Sequence, residues 1–158
     1  MEEGGRLRGE ARTVPQEVSR SFFDTNVLLY LFDNAVPVKK ARAQKVFSEE
    51  VEAGRAVLST QVLQEFYVNV TRKLAEPLPS EVAEARVRDF ARLPLVRVDE
   101  AMIVAAIERQ RSMSFSFWDA LILEAALRGG ADRLLTEDLQ HGQETEGLRV
   151  ENPFLEPE

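Results

Sequence analysis

A chain of 158 residues with 44% hydrophobic and 30% charged residues has the length and balance of one soluble domain with its own core. It has no cysteine and a single histidine, which excludes disulfides, thiolate zinc sites, a cysteine nucleophile and a histidine-rich metal centre. The formal net charge of −7 argues against a broad basic surface for nucleic acid, unless bound cations reverse the field at an acidic site.

Residues 1–19 hold four glutamates, three arginines, Gly4, Gly5, Gly9 and Pro15, and read as a flexible extension ahead of a single domain over residues 20–154. They lack the apolar core of a signal peptide, and no run reaches the ~18 apolar residues of a membrane span, so the expected location is the cytoplasm. Ser21-Phe22-Phe23 is a short apolar strand ending on Asp24, and Val27 to Phe32 follows with helical spacing as far as Asp33-Asn34. Pro37 suits a first helical turn, and the helix over Lys39–Glu52 carries Ala43, Val46, Phe47 and Val51 before Gly54. Ala56–Ser59 is a second strand. Thr60 begins a helix through Val62, Leu63, Phe66 and Val70 that ends near Leu74, before Pro77 and Pro79. Ser80 is placed to cap the next helix, which runs to about Leu93. Leu95–Val98 is a third strand, and Asp99 caps the helix of Met102, Ile103, Ala106 and Ile107. Ser116 precedes a strongly apolar helix, Phe117–Leu127, closed by Gly129-Gly130. Arg133–Thr136 is a fourth strand and Leu148–Val150 a fifth. Short strands alternating with helices predict an α/β fold whose parallel sheet, of about five strands, is covered on both faces.

In such a sheet the positions just past the strands converge on one edge. They include Asp24 after the first strand and Asp138 shortly after the fourth. Glu65 lies about a turn into the helix after the second strand, and Asp119 in the first turn of the helix before the fourth. Packed carboxylates repel one another, and a bound divalent cation removes that cost. An oxygen-only donor set suits Mg²⁺ or Mn²⁺, and the combination points to metal-assisted phosphodiester hydrolysis with no protein nucleophile. Each acid also has a plain structural reading. Asp24 can cap the helix after it, Glu65 can be a solvated face, and Asp119 stands three residues after Ser116 as in a capping box. Thr136 can cap a helix that Glu137 and Asp138 would favour. Asn69 and Arg72, four and seven residues beyond Glu65, extend a polar helical stripe suited to phosphate. Arg72, Lys73, Lys39, Lys40 and Arg42 are further candidate phosphate contacts, although most such charges are solvated helix faces. His141 reads as a solvated loop residue. Trp118, Leu121, Ile122 and Ala125 read as core rather than as a base-stacking platform.

Phe23-Asp24-Thr25-Asn26-Val27-Leu28-Leu29-Tyr30 resembles the opening motif of PIN domains, including the VapC-type toxins of toxin–antitoxin modules. Gln64-Glu65-Phe66-Tyr67, Phe117-Trp118-Asp119-Ala120-Leu121-Ile122 and Leu135-Thr136-Glu137-Asp138 resemble the later motifs, in the same order, and the tail Gly147–Phe154 is similar to one branch of that family. The resemblance implies a three-layer α/β/α sandwich and a Mg²⁺- or Mn²⁺-dependent ribonuclease. It implies Asp24, Glu65, Asp119 and Asp138 as metal-site acids, with Asn26 and Thr136 as supporting polar groups. It also implies an RNA substrate, a cognate antitoxin and a homodimer. Two departures stand out: the extension before the first strand is longer than usual, and Glu137 beside Asp138 leaves two candidates for the fourth acid. Two rival readings are a catalytically silent PIN-type module that binds RNA or protein, and an aspartyl-phosphate enzyme with Asp24 as nucleophile. The second needs a lysine near a strand end, and none of the four later strands ends in one.

Overall fold

A computed structural model of the protein describes residues 19–156, so nearly all of the extension expected over residues 1–19 lies outside the described residues. Six strands form one sheet: β1 (Ser21–Phe23), β2 (Ala56–Ser59), β3 (Leu95–Val96), β4 (Arg133–Leu135), β5 (Glu144–Thr145) and β6 (Leu148–Glu151). Their spatial order is β3-β2-β1-β4-β6-β5, all parallel except β5, which runs antiparallel to β6. Six helices connect them: α1 (Thr25–Tyr30), α2 (Pro37–Glu52), α3 (Thr60–Val70), α4 (Ser80–Phe90), α5 (Glu100–Ser112) and α6 (Phe117–Arg128). Right-handed crossovers place α1 to α4 on one face as the chain moves from β1 out to β3. Its return to β4 then puts α5 and α6 on the other face. The packing agrees: α5 lies along α6, while α1 touches α2 and α3, and α3 touches α4. The result is the α/β sandwich expected.

Strands β1, β2 and β4 are almost wholly buried, so they carry continuous apolar runs rather than alternation. Between the sheet and the α1–α4 layer, edge-to-face phenylalanines form a chain. Phe23 meets Phe47 at 5.0 Å, Phe47 meets Phe90 at 5.7 Å, and Phe90 meets Phe66 at 5.1 Å between ring centroids. On the opposite face α6 is buried along most of its length, from Ala120 to Ala126. No described helix is long and apolar enough to cross a membrane.

Several details differ from the sequence reading: β3 stops at Val96 rather than Val98, and the fourth helix at Phe90 rather than near Leu93. The third helix ends at Val70 rather than near Leu74. The Thr71 hydroxyl turns back onto the carbonyl of Tyr67, and the Leu78 amide closes on the Val70 carbonyl at 2.9 Å. The fourth helix is capped by Pro79 rather than Ser80, whose hydroxyl instead pairs with the Tyr67 hydroxyl at 2.8 Å. Among the described residues no helix follows β4. The Thr136 hydroxyl accepts from the Asp138 amide at 3.0 Å and holds a bend there. The sixth strand, β5, is a two-residue piece joined to β6 by Glu146 and Gly147, both at positive φ (52° and 87°), the geometry of a type I′ hairpin.

Candidate active site

Strand β1 lies between β2 and β4, so the ends of these three strands are neighbours. The ladder carries past the last strand residue, because the Asp24 amide donates to the Leu135 carbonyl at 3.0 Å. Asp24 caps α1 and faces the strand ends at once. Its Oδ1 accepts from the Thr25 amide at 2.7 Å, and its Oδ2 accepts from the Thr136 hydroxyl at 2.8 Å and the Asn26 amide at 3.4 Å. Asp24 therefore caps the helix through one oxygen and turns the other toward the strand ends. Asn26 spans the gap to β4, donating also to Thr136 Oγ1 at 3.1 Å and Asp138 Oδ2 at 3.0 Å.

Helix α3 starts directly after β2 because Ser59 caps it, its hydroxyl accepting from the Val62 amide. That early start puts Gln61 and Glu65 one turn apart on the side facing α1. Glu65 accepts from the Thr25 hydroxyl at 2.7 Å and from the Gln61 amide at 3.1 Å. Gln61 is 4% exposed, and its Oε1 has no hydrogen-bond donor. From the other side of the sheet α6 contributes its first turn. Ser116 caps it through the Asp119 amide, which fixes where the Asp119 carboxylate emerges.

Asp24, Glu65, Asp119 and Asp138 line one cleft of about 280 Å³, together with Asn26 and Asn69. Burial pushes the Asp24 carboxyl up to about 7 against the pull of its Thr136 and Thr25 hydrogen bonds, and the Asp138 and Glu65 charges add to the rise. Asp119 is raised too, first by burial and then by Asp138 and Glu65. The carboxylates thus repel across shared space, and a cation placed there would relieve them. Among the described residues, no three acids close on one point as a finished cage. Mg²⁺ does not need one: it is held through one or two carboxylates and keeps several waters. The donor chemistry fits a hard divalent cation, with Asp24, Glu65, Asp119 and Asp138 as the side chains to hold it.

The remaining candidates separate clearly. Glu137 is taken by Lys39 at 2.9 Å and by the Tyr30 hydroxyl, outside the cleft, whereas Asp138 lines it. Arg72 lies beyond the end of α3 in a turn, off the helical stripe on which the sequence placed it, and does not line the cleft. Lys40 binds Asn34, and Arg42 binds the Leu155 carbonyl at 2.7 Å and Glu156. His141 is exposed, its Nδ1 accepting from the Asn152 amide. Asp99 caps α5. The core reading of Trp118 is wrong: its side chain is 60% exposed at the rim of the cleft, while Leu121, Ile122 and Ala125 on the same helix are buried. Thr25 and Gln61, which hold Glu65, escaped the sequence reading. The i, i+4 spacing of Gln61 to Glu65 was the signal for one of them. A larger cavity, about 720 Å³, opens at the other end of the sheet beside Ser21, Glu50, Arg55, Arg133 and Glu151. Its arginines are paired with its glutamates, and none of the four site acids reaches it.

The family model described as PIN domain matches residues 21–143. No curated protein matches the chain. Among solved structures, a toxin–antitoxin complex from Klebsiella pneumoniae aligns at 19% identity over 85% of this chain and 98% of that one, with a TM-score of 0.61. A DNA-bound VapBC complex from Salmonella typhimurium aligns at 19% identity over the same shares, with a TM-score of 0.60. The sarcin–ricin-loop-cleaving toxin VapC20 of Mycobacterium tuberculosis aligns at 21% identity over 72% of this chain and 86% of that one, with a TM-score of 0.58. At these identities the likeness is one of fold.

Proposed function

The chain belongs to the PIN-domain family, and on that premise we propose that it is a Mg²⁺- or Mn²⁺-dependent endoribonuclease, the toxin of a toxin–antitoxin pair. Support comes first from the cleft: four carboxylates, contributed by the residue after β1, α3, α6 and the bend after β4, line one cavity at the carboxyl edge of a parallel sheet. Further support comes from the neighbours in fold, which are toxins and toxin–antitoxin complexes. By the same likeness the partners are an RNA substrate, an antitoxin and a second copy of the chain, and the setting is the cytoplasm.

Asp24 is the central metal-site acid, since its buried carboxyl gains most from a neighbouring positive charge. Asp119 and Asp138 bring negative charge from the opposite wall, and Glu65 from the wall formed by α3. Thr136 and Asn26 fix the plane of the Asp24 carboxylate by donating to Oδ2. Thr25 and Gln61 hold Glu65 out of free rotation. Asn69, one turn beyond Glu65, offers an amide to a phosphate oxygen. When bound, the cation supplies Lewis-acid stabilisation of the phosphate and a water acidic enough to attack it.

Purified protein is expected to cleave RNA with Mg²⁺ or Mn²⁺ present and to lose that activity with a chelator. Asp24→Asn is expected to reduce the rate at least a hundredfold, roughly the loss of one strong charge contact in a transition state. Cleavage that survives both treatments would refute the proposal. A silent binding module is the second reading, kept open by the formal net charge of −7, which disfavours a nucleic-acid substrate. Calorimetric titration separates the two, because such a module takes up Mn²⁺ feebly or not at all.

A further inference from the structure

The single tryptophan of the chain stands where two recesses meet. One is the acidic cleft. The other, about 370 Å³, lies on the far side of Trp118 and is lined by Gln61, Gln64, Glu65, Val68, Asn69 and Trp118 itself. Four of these residues, Gln61, Glu65, Asn69 and Trp118, line both, so the two spaces adjoin. The walls of the second recess are mostly apolar, from the indole and the exposed Val68, and its rim carries three carboxamides. At 60% exposure the indole presents a broad flat apolar face at this junction. The ring of Phe117 meets it edge-on at 5.0 Å, and the backbone carbonyl of Trp118 accepts from the buried Gln61 side-chain amide at 3.4 Å.

We propose that Trp118 and this recess seat an unpaired nucleobase next to the phosphate held in the cleft. This rests on the nuclease reading of the cleft. A base presents a flat apolar face to the indole and a mixed donor and acceptor edge that carboxamides can meet with either atom. The recess has no cationic side chain, so it suits the base of a nucleotide whose phosphate is bound next door. A base inside a duplex is already stacked and cannot reach the indole. Stacking tolerates any base, so the recess selects strandedness more than sequence.

Because Trp118 is the sole tryptophan, its fluorescence reports this contact without ambiguity. The full chain carrying Asp24→Asn, which leaves the RNA uncut, is titrated in Mg²⁺ with a short single-stranded oligoribonucleotide and with the same strand annealed to its complement. Quenching by the single strand and not by the duplex is expected. In parallel, Trp118→Leu in the active chain is expected to raise KM roughly ten- to hundredfold, as the loss of one stacked base implies, with kcat nearly unchanged. Trp118→Phe is expected to restore most of that loss, and Mn²⁺ uptake is expected to stay the same in both variants. Cleavage by the wild type with no quenching, or equal quenching by the duplex, overturns the base seat while sparing the nuclease, and leaves the exposed indole to a protein partner. Quenching by single strands in a chain whose wild type cuts nothing keeps the seat and removes the nuclease reading.

Discussion

Asp24 shows how one residue answers to two descriptions. Read from sequence alone, a strand-ending aspartate before a helix is a cap or a functional acid. The structure uses Oδ1 for the first and leaves Oδ2 in the cleft, with Thr136 and Asn26 on it. Trp118 was misread because it sits inside an apolar run, where hydrophobicity does not separate the buried face of a helix from its exposed first turn. The raised carboxyl of Asp24 has a consequence for stability. Its folded value is about 7 against 3.8 for a free side chain, so between those limits the native state holds a proton that the unfolded chain has lost. Stability from this group is therefore greatest below pH 3.8 and falls as pH rises to about 7. In metal-free buffer at pH 8, Asp24→Asn is expected to be more stable than the wild type. The gain is about 2 kcal/mol, being the linkage term less the poorer Thr136 hydrogen bond. Mn²⁺ is expected to raise the wild-type Tm more at pH 8 than at pH 6, and to raise that of Asp24→Asn by less, with little dependence on pH. Thermal melts across that pH range check both.

At the level of elements, strands and helices were legible wherever a cap or a glycine marked the boundary. Ser59, Asp99 and Ser116 each cap a helix through the side-chain oxygen. The ends that were missed were decided by tertiary contact. Leu78 folds back on Val70 to stop α3, and β5 exists only because β6 offers it an edge. Two residues, Glu144 and Thr145, are too few to show any periodicity. Gly129 marks a different constraint. A Cβ there would come within 2.9 Å of Val57 Cγ1 and 3.0 Å of Val96 Cγ2, so the end of α6 rests directly on the sheet. Both neighbours are β-branched and have little freedom to turn away. Gly129→Ala is expected to cost about 1–3 kcal/mol through overpacking, read as a lowered denaturation midpoint, with Mn²⁺ binding retained in the folded fraction.

For the molecule as a whole, sheet order was the step that no local pattern supplied. Alternating strands and helices imply a parallel sheet, but placing β1 between β2 and β4 required the long return from β3. That return is what lets Asp24 meet residues 136–138, more than a hundred positions away. The end of the sheet opposite the cleft is tied by charge instead. Glu50, 4% exposed, accepts from Arg55 at 2.8 and 3.0 Å and from Ser21 at 2.7 Å, and Arg133 bridges Ser21 to Glu151. The Arg55 hydrogen bonds, then Ser21 and Arg133, outweigh burial and hold the Glu50 carboxyl down at about 2, against 4.5 when free. The sign is opposite to that of Asp24: this stabilisation is whole above pH 4.5 and is lost as pH falls toward 2. Acid unfolding is therefore expected in that window. Glu50→Gln is expected to reduce stability by about 2 kcal/mol at pH 7, less than a fully buried pair because the arginines are partly solvated, and to flatten the acid limb of the melt.

The strand order also sets a schedule during synthesis. Strands β1, β2 and β3 leave the ribosome first and can pair with one another, but the far edge of β1 stays bare until residues 133–135 emerge. Asp138 and Thr136 arrive with that last insertion, so a nascent chain has no complete cleft. The same interval leaves an apolar strand edge open to other chains, which makes the moment before β4 docks the one at which aggregation competes with folding.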